Sequence, residues 1–258
     1  TPGAVGLLGT GDGFIYTYAP SLGFALTGSV TKAYDGTNTV SNLTSANYTV
    51  SGAVGGDAVS ITGGLPTSGT YSSSHDVGSG LDVTVTGITA NILATNLAGQ
   101  AEVFGYRLKA VPATGPIGAI TQAPLTVTAN AANKTYDGLA YAGAGGVTYV
   151  GFVNGETESV LGGTLAFGVV PQPAIDVGTY SITPEGLSSG NYAIQYVGGT
   201  LTISQALLTV TANSVTRTYD GQPFTGGSGV TYAGFAPGDT SAAVSYTHLR
   251  AHETPEHL

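Results

Sequence analysis

The chain has 258 residues with 41 Gly, no Cys, Met or Trp, and a formal net charge of −9. The missing thiols exclude disulfides, zinc ribbons, iron–sulfur clusters and thiol catalysis, and 6 Lys+Arg against 15 Asp+Glu exclude a nucleic-acid binder, which needs cations to displace counterions from phosphates. No apolar run reaches the ~18 residues of a membrane span, while 41% hydrophobic and 8% charged residues are the balance of a folded chain, not a disordered one.

Taken from the N-terminus, residues 1–23 read as the end of a preceding module. The absence of an initial Met and of a basic-then-apolar leader points to an internal piece of a longer chain. Ser29–Gly36 ends in Tyr34-Asp35-Gly36, where Asp-Gly marks a tight turn because Gly tolerates positive φ. Val83–Thr86, Leu125–Thr128, Leu201–Ser204 and Leu208–Thr211 alternate apolar with hydroxyl residues, the period-two pattern of half-buried strands. Asp137-Gly138, Asn154-Gly155 and Asp220-Gly221 are further tight turns, and such punctuation recurs every ~8–12 residues, the rhythm of a sandwich or barrel. Phe152–Leu161 has room for one helical turn.

The chain repeats itself. Gln122–Gly138 recurs as Gln205–Gly221, and Gly146–Thr157 recurs as Gly229–Thr240, both at an offset of 83 residues. Ser29–Gly36 matches Ser214–Gly221, but Tyr34 and Tyr136 are 102 residues apart, so the first copy is longer. The organisation expected is a module over 24–122, a second over 123–205, and a third that begins near 206 and runs to 243. Asp176-Val177-Gly178-Thr179-Tyr180 has the form that makes a tyrosine corner in immunoglobulin-like sandwiches. In the first copy Asp76-Val77-Gly78-Ser79-Gly80 lacks the Tyr. The fold expected is therefore all-β, a tandem array of immunoglobulin-like β-sandwich modules, with β-grasp-like modules as the alternative.

Residues 244–258 differ in character: they hold His248, His252 and His257 and no Gly. The string from Val244 to Thr254 resembles a translated sequencing adapter, so it is set apart from the fold. His248, His252 and Glu253 could otherwise share a helical face as metal ligands.

Few other residues invite chemistry. Ser72-Ser73-Ser74-His75-Asp76 holds the components of a hydrolase, yet a triad assembles from separated segments, and His75 reads as a solvated loop residue. Asp12, Glu156, Glu158 and Asp239 lie near turns, but calcium takes about six to eight clustered oxygens. Lys134 aligns with Arg217, so a Lys–Asn cross-link common to the repeats is not expected. Asn42, Asn47 and Asn133 fit the N-glycosylation pattern. The Tyr-Asp-Gly copies (Tyr34, Asp35, Gly36; Tyr136, Asp137, Gly138; Tyr219, Asp220, Gly221), with Asp176, Gly178 and Tyr180, are expected to be structural: the ring packs and the hydroxyl finds a partner while Asp-Gly turns the chain. No catalytic residue, metal or cofactor is expected.

The Tyr-Asp-Gly signature, the Gly151–Thr157 and Gly234–Thr240 segments and the closing Gly198–Ile203 strand resemble the YDG and MBG repeat modules. The first copy is similar to the longer YDG type, and the later ones to the shorter MBG type. Such modules occur in tandem in very large secreted bacterial proteins, many similar to filamentous-haemagglutinin-type adhesins. The resemblance implies a non-enzymatic, secreted or cell-surface role as stalk, spacer or adhesive array. The alternative is a module that itself binds glycans or mucin, with the Tyr content supplying sugar-stacking faces. Partners expected are neighbouring modules and host or environmental glycans or surface proteins.

Overall fold

The computed structural model describes residues 19–95, 105–109, 112–143 and 145–244. The described residues are all-β apart from three short 3-10 turns. The first stretch contributes β1 (Ser21–Leu26), β2 (Val30–Ala33), β3 (Thr39–Val40), β4 (Tyr48–Ser51), β5 (Ala58–Gly63), β6 (Gly69–Tyr71), β7 (Gly78–Val85), β8 (Asn91–Thr95), β9 (Arg107–Leu108) and β10 (Ala113–Thr121). The second contributes β11 (Ala123–Ala129), β12 (Ala132–Thr135), β13 (Val147–Val150), β14 (Gly162–Val170), β15 (Gly178–Ser188), β16 (Tyr192–Val197) and β17 (Gly199–Ser204). The last contributes β18 (Thr209–Ala212) and β19 (Val230–Ala233). Phe152–Leu161 holds the 3-10 turn Glu158–Val160, capped by the Thr157 side chain, which accepts from the Ser159 amide.

The repeat is visible as topology. In the first stretch β1 lies between β4 and β9, and a second sheet runs β2-β10-β7-β6-β3, with β2 parallel to the last strand, β10. In the second, β11 lies between β13 and β16, and a second sheet runs β12-β17-β15-β14, with β12 again parallel to the last strand, β17. β18 pairs antiparallel with β19, the counterpart of β1 with β4. Each opening strand thus joins one sheet and, after a short break, its continuation joins the other. The two halves of a sandwich are tied together at that point.

Alternation sets which side chains are covered. In β11, Ala123, Leu125, Val127 and Ala129 point inward while Pro124, Thr126 and Thr128 do not. Leu201 and Ile203 of β17 and Tyr180 and Ile182 of β15 complete a core with Ala129, Ala132, Val169 and Ala174. The Tyr180 hydroxyl donates to the Asp176 carbonyl at 2.8 Å, the bond of a tyrosine corner. Gly178 begins β15 opposite Ile203. In the first stretch Leu22, Val40, Leu43, Val83 and Val85 are fully covered.

The chain divides into two compact units that do not follow the repeats. One takes in the described residues up to Leu125 together with Val150–Gly162 and Ser188–Gln195. The other takes in Thr126–Tyr149, Gly163–Leu187 and the described residues from Tyr196 onward. The segments 150–162 and 188–195 leave the body of their own repeat for a reason that the Tyr-Asp-Gly turn makes plain.

Candidate functional site

At each Tyr-Asp-Gly copy the Asp side chain reaches forward over the turn. Asp35 accepts from the Thr37 amide at 2.9 Å, Asp137 from the Leu139 amide at 2.9 Å, and Asp220 from the Gln222 amide at 3.0 Å. Gly36, Gly138 and Gly221 sit at φ 70°, 75° and 73°, which a Cβ disfavours. A cation three residues before the Asp clamps the turn. Lys32 lies 2.6 Å from Asp35, Lys134 lies 2.7 Å from Asp137, and Arg217 pairs with Asp220. The same cations donate to the Thr37, Leu139 and Pro223 carbonyls. Burial acts upward on the Asp35 carboxyl, but the Lys32 and Thr37 bonds outweigh it and hold the group below the usual range. The Lys134 bond does the same for Asp137, and the Arg217 bond for Asp220.

The rigid turn aims the tyrosine at an acid from the following repeat. The Tyr34 hydroxyl donates to Glu156 Oε1 at 2.5 Å, and Tyr192 donates to Glu156 Oε2 at 2.5 Å. Tyr192 stands edge-on to Tyr34, with ring centroids 5.5 Å apart, and edge-on to Phe152 at 5.4 Å. Burial first, and then the Glu156 bond, push the Tyr34 hydroxyl up to about 12. The same two causes raise Tyr192. The Asn154 side chain donates to the Gly36 carbonyl at 3.1 Å. Beside this cluster Asn191 makes two bonds: its Nδ2 donates to Asp76 Oδ1 at 2.8 Å, and its Oδ1 accepts from the Val77 amide at 3.0 Å. The Asn191 bond is the main reason Asp76 is held low.

The contact recurs one repeat later. The Tyr136 hydroxyl donates to Asp239 Oδ1 at 3.4 Å, and that bond is the main cause raising its pKa. Tyr34 and Glu156 are 122 residues apart and Tyr136 and Asp239 are 103 apart. The difference equals that between the two repeat spacings of 102 and 83, so both pairs join equivalent positions. The third copy differs: Tyr219 is 94% exposed. Its ring does not pack as the sequence led one to expect, because among the described residues no acidic loop covers it, although its turn and clamp are complete.

The acids were the part that sequence reading missed. In the sequence Glu156 and Asp239 stand out as turn-adjacent carboxylates and as members of the recurring Gly151–Thr157 and Gly234–Thr240 segments, with no tyrosine partner indicated. The available signal was that an acid follows the same Gly of Gly-Phe-x-x-Gly in both copies. Among the described residues no group of three or more His, Asp or Glu is placed to hold a metal ion. Asp12 and the three tail histidines lie outside the described residues. His75 Nε2 is 3.9 Å from Asp76, while Ser74 bonds the Asp76 carboxylate directly, so the imidazole does not lie between serine and acid as a triad needs. Asp76 lies in the bend just before β7, bonded to Ser74, and also receives Asn191. Asn47 is buried and bonds the Thr27 carbonyl and the Thr44 amide, so it is closed to glycosylation in the folded chain.

Residues 19–99 match the YDG domain and residues 125–202 match the MBG domain of the YGX type. No curated protein and no solved structure matches the chain.

Proposed function

We propose that this chain is a non-enzymatic extracellular stretch of tandem β modules from a large bacterial surface adhesin, working as a stalk or spacer. The observation that carries this reading is the recurrence of one tyrosine–carboxylate contact at successive repeats. Tyr34 and Tyr136 of the signature are occupied in contacts to the following repeat, which is what an array needs. The YDG and MBG matches support the same reading. Glycan recognition, the competing possibility, calls for exposed aromatic faces, and among the described tyrosines and phenylalanines only Tyr219 and Phe224 are exposed.

The test is binding of the full chain to immobilised mucin and a glycan array. Folded protein is expected to show no saturable binding. Saturable binding lost on Tyr219→Ala would replace the spacer reading with a glycan-binding one.

A further inference from the structure

Beside the second junction lies an open cleft of about 490 Å3, lined by Tyr136, Val177, Leu207, Phe235, Asp239 and Val244 among others. Its apolar lining is poorly covered: Val177 is 48% and Leu207 is 86% exposed. Leu125, by contrast, is 0% exposed, while Leu208, its counterpart at the 83-residue offset, lines this cleft and is only half-buried.

The first junction shows what fills such a space. There Asp76-Val77-Gly78 is met by Asn191, and the second oxygen of Glu156 is met by Tyr192, whose ring packs on Tyr34 and Phe152. Each of these receiving groups has its equivalent in or next to the cleft lining, Val177 within it and Asp176 adjoining it in the chain. Asp176-Val177-Gly178 repeats Asp76-Val77-Gly78 residue for residue. Asp239 stands for Glu156 and uses one oxygen on Tyr136, Phe235 stands for Phe152, and Tyr136 stands for Tyr34.

We propose that this cleft is a docking site for a Gly-Asn-Tyr loop of the kind at Gly190–Tyr192, supplied by a further copy of the second repeat's closing half. The Asn side chain bridges the Asp176 carboxylate and the Val177 amide. The Tyr hydroxyl donates to Asp239 Oδ2, and its ring fills the space between Tyr136 and Phe235. The proposal rests on the reading of the signature as a junction between repeats.

The experiment replaces residues 244–258 of the full chain with a second copy of residues 161–205 and follows amide hydrogen exchange. Exchange of the Val177 amide is expected to slow by about tenfold or more, as for an amide that gains a buried partner. Changing Asn to Ala in the added copy is expected to restore the original rate. Unchanged Val177 exchange, with the added strands themselves protected, overturns the proposal. If the added strands are unprotected, a peptide of residues 187–195 is titrated into the original chain. Slowed Val177 exchange that Asp239→Ala abolishes is then expected, and no change up to millimolar peptide overturns the proposal. Coupling between Tyr34 and Glu156 is measured on the same chain. If that coupling persists without docking, only this proposal falls, whereas its loss removes the junction reading as well.

Discussion

Glu156 accepts from the hydroxyls of two buried tyrosines through part-buried bonds, which makes it the most consequential acid among the described residues. Glu156→Ala leaves both hydroxyls without their acceptor. A destabilisation of about 1–3 kcal/mol is expected in urea unfolding, from the loss of two charge-assisted bonds at a part-buried site. Asp239→Ala is expected to cost well under half as much, since Asp239 serves one hydroxyl at 3.4 Å. The alkaline limb reports on the same cluster. Tyr34 titrates near 12 in the folded chain against about 10 when unfolded, so its contribution is complete below pH ~10 and is lost as pH rises towards 12. Wild-type stability is expected to fall through that window, and Tyr34→Phe is expected to flatten the fall. An equally steep fall in Tyr34→Phe would remove this tyrosine from the account. The low-lying Asp35, Asp137 and Asp220 act at the other end: their contribution is present above the ordinary aspartate range and declines as acid protonates them.

The strands were legible because alternation is a local property. Leu125–Thr128 and Leu201–Ser204 fall inside β11 and β17, and Val83–Thr86 overlaps β7. Two-residue strands such as β3 and β9 carry too few side chains to show a period, and they form only because longer neighbours offer an edge. β18 shows the opposite limit. Its sequence repeats that of β11, yet all four of its residues are exposed where β11 is covered, because among the described residues it has no counterparts of β14–β17 above it. Exposure is set by what arrives to cover a strand, and that cannot be read from the strand. The Asp-Gly turns were legible for the same local reason, whereas the Tyr34–Glu156 contact spans 122 residues and leaves no local trace. The turns also give a graded expectation. A Cβ on Gly36 would lie 2.7 Å from the Asn154 Cβ, and one on Gly138 would lie 3.2 Å from the Pro237 carbonyl oxygen. One on Gly221 would meet nothing within 4 Å. All three alanine variants carry the left-handed backbone penalty of about 1–2 kcal/mol. Thermal unfolding is therefore expected to rank the losses Gly36→Ala, then Gly138→Ala, then Gly221→Ala. A largest loss at Gly221 would contradict the ranking.

At the scale of the whole molecule, stability is expected to be uneven. β11 and β17 sit in covered cores and are expected to exchange their amides only on wide opening, while the two-stranded β18–β19 is expected to exchange near the unprotected rate. The two compact units cut across the repeats because residues of segments 150–162 and 188–195 bond to Tyr34 and to the Asp76–Val77 bend of the preceding repeat. Tyr34 and Tyr136 each take their acid from the following repeat. Such a contact ties a repeat to its successor, a device suited to building an array in one register. The most direct measurement is a double-mutant cycle in urea with Tyr34→Phe, Glu156→Gln and the pair. A coupling of about 1–3 kcal/mol at neutral pH is expected, the range for residues sharing one buried network. Additivity within about 0.5 kcal/mol would contradict the claim that this tyrosine and this acid hold successive repeats together.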